Sequence, residues 1–389
     1  MSHSTPTIFP LQSLLLSKDE LSSCFFRNPT NRELEFLDVF CAVQSFLSSN
    51  EKRKLLKYHR KGRIGYDLIS ILGIQLLKLH YKIQTTKDTL FLLEENMNLR
   101  VILSISDVPS PATVSRLSRD VEQIIKPTIL HERLIHFYTT EMNRIIGHIS
   151  IDSTTIQARE KPLKRKKEPS LPSSLKKRGR KKKGSHEEQE YVKRKAKEQE
   201  EKLDYLTESP ETSISELEMR CSMTAKQNSK GKKQWYIGYK AHLATDDFGV
   251  TIAYAVTGAC VHDCKVAVPL LKYVYQRNDF FYALMDKGYL NPDINAYAES
   301  IERKVIIDQR AHRGVAAIPM EEPTALRYKA RSTVERTNSE LKDGFLPNKL
   351  YRRESHARYD IELAILLSTL KKVWKTLLLK KEIKAKKAS

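Results

Sequence analysis

His148-Ile149-Ser150-Ile151-Asp152-Ser153 breaks the texture of everything before it. Its isoleucines stand two apart, the alternation of a half-buried strand, and no helical period runs through it. The run predicts the first strand of a new domain, carrying an acid at its end. A second short apolar strand, Tyr282-Ala283-Leu284-Met285, also closes on an acid, Asp286. Acids just past apolar strands stand where ligands collect in α/β sheets, although either one alone would serve equally well as a turn residue or a helix N-cap.

The segments between these strands complete a sheet. Trp235 to Leu243 and Val250 to Val256 read as strands, and Asp246-Asp247-Phe248-Gly249 between them makes the pair a hairpin. Trp235 is expected in the core of its strand. A helix over Asp263 to Gln276, another after Pro292 and a strand over Lys304 to Ile307 follow. Strand, hairpin, helix, strand, helix, strand predicts a mixed α/β sheet. Upstream, from Asn31 to Arg144, apolar residues recur at helical spacing, as in Phe36, Val39, Phe40, Val43 and Phe46. Ser110-Pro111 opens a helix, as an N-cap and first-turn proline, that carries Arg116 and Arg119 and stops before Pro127. Those arginines read either as DNA contacts or as the solvated face of a bundle helix. Downstream, Ser355 to Lys380 is a helix with a stripe through Ile361, Ile365, Leu366 and Leu370 and a basic tail.

The charge balance narrows the partner. The 389 residues hold 68 Lys and Arg against 47 Asp and Glu, a net charge of +21, which points to a polyanion. Twelve basic residues face one acid between Lys161 and Lys183, inside a segment of roughly 70 residues, Arg159 to Lys233, that has few apolar anchors. Its mixed-charge stretch Glu187 to Leu206 is helical in pattern. Within it, Lys177-Arg178-Gly179-Arg180-Lys181 resembles an AT-hook core, whose Arg178 and Arg180 would lie in a narrow minor groove; the alternative is non-specific phosphate binding. Five cysteines without pattern fit a reducing compartment better than a disulfide framework. The most apolar stretch, Leu68 to Leu79, is interrupted by Ser70, Gln75 and Lys78 and reads as a core helix rather than a membrane span. A soluble, cytosolic protein is the expectation.

Phosphodiester chemistry on DNA needs hard divalent ions, and these need clustered carboxylate oxygens. A third acid can be placed on a helix. Pro323-Thr324 marks a start and Gly344 a stop, leaving Ala325 to Asp343 helical. Leu326, Ala330, Val334 and Leu341 form its apolar stripe. Tyr328, Glu335 and Lys342 are seven apart and Arg331 lies one turn before Glu335, so all four share a face. On its own this could be a solvated face with an Arg331 to Glu335 pair.

Here the chain resembles the DDE transposases of bacterial insertion sequences. Tyr328-x2-Arg331-x3-Glu335-x6-Lys342 looks like the Y-x2-R-x3-E-x6-K signature of one branch. Gly238-Tyr239-Lys240-Ala241-His242-Leu243-Ala244 resembles its "GYKxHLA" strand, Val261-His262-Asp263 its "HD" turn and Asp286-Lys287-Gly288-Tyr289 its "DKGY" motif, in the family order. Gly62-Arg63-Ile64-Gly65-Tyr66 is similar to the start of the helical domain that precedes many such cores. The resemblance, over roughly residues 60 to 375, implies an RNase H-like mixed-sheet core in which Asp152, Asp286 and Glu335 ligate two Mg2+ ions, with Mn2+ as a substitute. It implies that Tyr328, Arg331 and Lys342 position DNA phosphates. It also implies cleavage at the ends of a mobile element, strand transfer into target DNA, a homodimer in a synaptic complex and a cytoplasmic, nucleoid-associated bacterial setting. The basic insertion and the 49-residue interval from Asp286 to Glu335 depart from the family pattern.

The domains expected are a helical region 1–145 for end binding or dimerisation, a core of 146–158 and 234–350, a basic insertion 159–233, and a helix with a tail at 351–389. His262 and Asp263 are expected to shape the turn before their helix, with an accessory role beside the site. Cys260-x-His262-x-Cys264 is too tightly spaced for a usual zinc site. Two other functions stay open: an RNase H-like nuclease or resolvase, and a domesticated DNA-binding protein that no longer cuts.

Overall fold

The structure, a computed structural model, describes residues 25–56, 66–162, 184–227, 230–308, 319–350 and 354–388. Arg178, Arg180, the AT-hook-like run around them and Gly62 to Gly65 lie outside the described residues.

The chain opens with α1 (Asn31–Ser45), α2 (Ser49–Leu56), α3 (Leu68–His80), α4 (Thr86–Glu95), α5 (Met97–Ile102), α6 (Pro111–Ile124) and α7 (Pro127–His136). Local chemistry sets these boundaries. Thr30 and Glu33 form a capping box at the head of α1, and Ser110 accepts the Thr113 amide at the head of α6, where Pro111 occupies the first turn. Residues 68–79 of α3 are all buried, as expected of a core helix. Gly73 lets it approach its neighbours, since a Cβ there would meet Leu103 at 2.2 Å.

After a π-helical turn at Phe137–Glu141 the sheet begins. Its elements are β1 (His148–Gln157), α8 (His186–Thr207), α9 (Pro210–Ser215), β2 (Ser222–Gln227), β3 (Lys233–Thr245), β4 (Thr251–Gly258), α10 (Cys264–Arg277), β5 (Tyr282–Met285), α11 (Pro292–Ser300) and β6 (Lys304–Ile307). The chain ends with α12 (Glu322–Tyr328), α13 (Ser332–Glu340) and α14 (Glu354–Ala388). β3 pairs antiparallel with β1 and, on its other edge, with β4; β5 and β6 continue from β1 in parallel. This is the mixed α/β sheet expected, with a helical N-terminal region before it.

Two boundaries differ from expectation. β2 comes from within 159–233, yet pairs with β3 from Ser222↔Gly238 to Gln227↔Lys233, so that segment rejoins the sheet before its expected end. β2 is only weakly marked: its apolar alternation is a single pair, Met223 and Ala225, among polar residues. The C-terminal helix is not a separate appendage either. It packs on α3, α7 and β4, burying Ile361, Ile365, Leu366 and Leu370, and a buried Lys78–Asp360 ion pair at 3.1 Å ties it to α3.

The helical region is fastened to the sheet at the β3–β4 turn. Asp246 accepts the Phe248 and Val250 amides, at 2.9 and 2.8 Å, and the Tyr138 hydroxyl at 2.6 Å. Burial pushes the Asp246 pKa up to about 6, against these donors and Arg144. Among the described residues, no helix is long and apolar enough to cross a membrane.

Candidate active site

Parallel pairing places the acids. Ile151 on β1 is opposite Met285, the last residue of β5, so Asp286 leaves β5 at the level of Asp152; Asp152 itself lies mid-strand, because pairing with β3 carries β1 on to Gln157 instead of closing it on the acid as expected. Asp286 is fixed by a turn of its own: Oδ1 accepts the Gly288 amide at 2.8 Å and caps the 3-10 turn Lys287–Tyr289. A Cβ on Gly288 would sit 2.8 Å from that oxygen, so the glycine of the motif leaves room for the carboxylate. Asp152 is largely enclosed. Burial, aided by the charge of Asp286, pushes its pKa up to about 6, against the Ser153 amide, Arg331 and Lys226.

The third acid arrives on a helical run that changes pitch twice. α12 tightens into a 3-10 turn at Lys329–Arg331, α13 follows, and a π turn at Leu341–Phe345 closes the run. The single regular helix expected from the spacing is therefore broken. Val334 and Leu341 are buried as predicted, but Leu326 is 58% exposed: α12 buries none of its residues. Lys372 of α14 braces α13 through Thr337 at 2.8 Å and Glu340 at 3.0 Å.

The four candidate side chains of the shared face stand in unlike situations. Tyr328 donates its hydroxyl to the carbonyl of Met285 at 3.1 Å, so it anchors the strand end that bears Asp286. Arg331, with its side chain 17% exposed, pairs with Glu335, which is 55% exposed. The other terminal nitrogen of Arg331, Nη1, is buried without a partner. Lys342 is exposed on the π turn.

Among the described residues no cluster of three or more His, Cys, Asp or Glu is drawn tightly enough to hold a metal, which covers both the Cys260-His262-Cys264 run and the three acids as they stand. Asp152 and Asp286 nonetheless suit a hard cation. They are neighbouring oxygen donors, one desolvated and within reach of the other's charge. Glu335 is turned onto Arg331 instead.

Asn338 was not apparent from the sequence. One turn after Glu335 and 5% exposed, it donates from Nδ2 to Oδ2 of Asp152 at 2.9 Å, joining helix to strand across the site, while its Oδ1 is buried and unpartnered. Its position, three residues past the acid, was the available signal.

His262 and Asp263 part company. His262 points to solvent and accepts the Cys264 amide at 3.4 Å. Asp263 turns inward to Lys240 at 2.9 Å, with His242 at 3.8 Å, and makes no side-chain cap bond to α10. Burial raises the Asp263 pKa, but His242, Lys240 and Ser153 outweigh it and leave it below the ordinary value. Burial drives His242 down to about 4, so at neutral pH Lys240 is the cation of this group. Buried Tyr289, from the same motif as Asp286, closes the group with a hydroxyl within electrostatic reach of Asp263, Asp152 and Asp286.

The remaining candidates stand elsewhere. Arg116 and Arg119 are exposed on α6, which packs through its opposite face on α2, α3 and α4. Trp235, expected in the core, is 62% exposed, because it lies on β3 beyond the last residue paired with β1.

The profile of the transposase DDE domain family matches residues 144–370, more than half the chain and the whole of this site. The chain belongs to that family. It is a DNA transposase, of a family of metal-dependent polynucleotidyl transferases. A second transposase domain profile, DUF772, matches residues 26–120, the helical region. No curated protein matches the chain. Among solved structures, it is similar to a piggyBac transposase in a synaptic complex with hairpin DNA, at 10% identity and a TM-score of 0.45 over 90% of this chain and 76% of that one. That likeness is too low to bear on the fold.

Proposed function

We propose that Asp152, Asp286 and Glu335 are the metal-binding acids of this transposase, taking Mg2+, or Mn2+ in its place. The observation that carries the assignment is the meeting at one level of two strand-borne carboxylates, one of them desolvated, with a helix bearing Glu335 and linked to Asp152 through Asn338. When bound, the cations would lower the pKa of an attacking water or 3′-hydroxyl and stabilise the leaving oxygen.

The chain's own groups do the rest. Asn338 holds Oδ2 of Asp152, and the Gly288 amide holds Oδ1 of Asp286, so both carboxylates are set before DNA arrives. Arg331 offers a buried Nη1 donor without a partner, which suits a phosphate oxygen. Tyr328 fixes the end of β5 and presents its ring beside the Arg331 guanidinium, 5.9 Å away. Lys342 adds a mobile cation. The substrate is double-stranded DNA, first at the ends of an insertion sequence and then at the target, and bringing two ends together calls for a homodimer.

The test is a cleavage and strand-transfer assay on DNA carrying the element's ends, comparing wild type with Asp286→Ala and Glu335→Ala. Mg2+-dependent joining that drops at least about a thousandfold in both variants, with DNA binding retained, is the expected result. Equal activity in all three proteins would remove these acids from the mechanism. Cleavage without joining would favour a nuclease, and binding without cutting a domesticated DNA-binding protein.

A further inference from the structure

β5 carries chemistry at both of its ends. Asp286 stands just past its last residue, and Tyr282 opens it. Tyr282 pairs with His148 of β1 and with Lys304 of β6, so the three residues form a row across the sheet. Side chains alternate along a strand, which puts this row on the face that bears Asp152. At roughly 3.3 Å per residue it lies about 13 Å from the acids. Ring contacts agree with the register. The Tyr282 ring stacks on His148 with centroids 5.5 Å apart, and the Arg327 guanidinium of α12 lies over Tyr282 at 5.0 Å.

Beside this row, between α11 and α12, is a cavity of about 520 Å³ lined by Tyr282, Lys304, Arg327, Arg303, Glu299 and Thr324 among others. Its three cations differ in what they already hold. Arg303 is spent on Asp279, which it grips through two nitrogens at 2.8 and 2.7 Å. Lys304 and Arg327 are exposed and pair with no acid among the described residues. Glu299 is the sole acid of the lining, and Thr324 adds a hydroxyl. Two unspent cations and a hydroxyl converging on one cavity suit an anion with several oxygens.

We propose that this cavity is a second DNA contact, in which Lys304 and Arg327 together hold one backbone phosphate beside the cleaved position. It rests on the reading of Asp152 and Asp286 as the catalytic acids, which sets the direction in which the DNA runs. Arg331 lies one turn beyond Arg327 on the same helical run, so cations follow one another from the cavity to the acids. A phosphate fixed at this distance sets the register of the duplex without reading its sequence.

The experiment measures the affinity of the full chain for a short duplex carrying an element end, without divalent metal, as a function of salt. Wild type is compared with Lys304→Ala, Arg327→Ala, Arg327→Lys, the double variant Lys304→Ala/Arg327→Ala, and a control, Lys265→Ala, exposed on α10. Each single alanine variant should bind about fivefold more weakly. The double variant should fall about tenfold, less than the product of the two losses, and its salt slope should drop by about 0.9, because one phosphate is lost once. Arg327→Lys should keep the slope, and Lys265→Ala should match wild type. Duplexes with a single neutral methylphosphonate linkage then locate the contact. One position, within about four nucleotides of the cleaved bond at roughly 3.4 Å each, should weaken wild type and leave the double variant unaffected. An unchanged slope in the double variant, a loss in Arg327→Lys equal to that in Arg327→Ala, or the lack of such a position would overturn the proposal. So would inorganic phosphate binding that the double variant loses while its duplex affinity stays, since the cavity would then hold a free anion. The titration needs neither metal nor cleavage, so acids that proved dispensable for joining would sink the metal site and leave the cavity result standing.

Discussion

Asp152 and Glu335 stand on opposite kinds of ground. Asp152 grows from a strand paired on both sides, is enclosed, and carries a pKa pushed up to about 6 by that enclosure. Glu335 sits on a helix that changes pitch on either side of it, is more than half exposed and is occupied by Arg331. A buried carboxylate without a cation costs the fold stability; an exposed one does not. The strand half of the site is therefore built under electrostatic strain that a metal would relieve, and the helix half is a side chain held in reserve by a neighbouring guanidinium.

The largest expected effects test this contrast directly. Asp152→Asn and Glu335→Gln should each reduce joining at least about a thousandfold. Their effects on the fold should differ in kind. At pH 7.5 with metal chelated, Asp152→Asn removes a disfavoured buried charge and should raise Tm by about 2–4 °C, while Glu335→Gln should leave it within about 1 °C of wild type. Thermal melts of the three proteins measure this. Equal shifts in both variants would erase the distinction between the two halves.

The same contrast governs what could be read from the sequence. Strands with alternating or wholly apolar residues announced themselves, and β5 and β6 fall where the pattern put them. The acids were legible because they interrupt such runs, Asp286 just past β5 and Asp152 within β1, which continues beyond it to Gln157. β2 was not: four of its six residues are polar, and it is held by backbone bonds to β3 rather than by an apolar face. Trp235 misled for the related reason that a strand residue is buried only where something covers it, and β3 extends past its cover. On the helix side, spacing correctly put Tyr328, Arg331, Glu335 and Lys342 together but assumed one regular pitch, and the 3-10 and π turns answer to tertiary packing that no local pattern encodes. Asn338 acts across two elements, so only the assembled fold reveals its partner.

Asn338 and Gly288 offer intermediate effects, because each holds one carboxylate without belonging to the acids. Asn338→Leu keeps the branched shape of the side chain and deletes the donor to Asp152; it should raise the Mg2+ concentration needed for half-maximal joining roughly tenfold or more, as loss of an outer partner to a metal ligand does. Gly288→Ala drives a methyl against Oδ1 of Asp286 and should lower kcat about tenfold with little change in DNA affinity. Metal titrations and single-turnover rates separate the two. If Asn338→Leu left the metal dependence unchanged, the bond between helix and strand would be structural only.

The smallest effect is the most specific to the strand half. The folded-state pKa of Asp152 lies above its unfolded value, so between the two the native state binds more protons than the unfolded chain, and stability falls as pH rises. The loss should run from about pH 4 to about pH 6 and level off above. Asp246 is raised in the same direction and acts in the same window, so the whole-protein profile contains both. Subtracting the Tm profile of Asp152→Asn from that of wild type isolates the Asp152 share, which should appear as a decline across this window in EDTA. Adding Mg2+ should flatten it, because a bound cation favours the ionised carboxylate that burial opposes. A difference profile that is flat without metal would mean that Asp152 is hydrated in solution, and the contrast with Glu335 would then vanish.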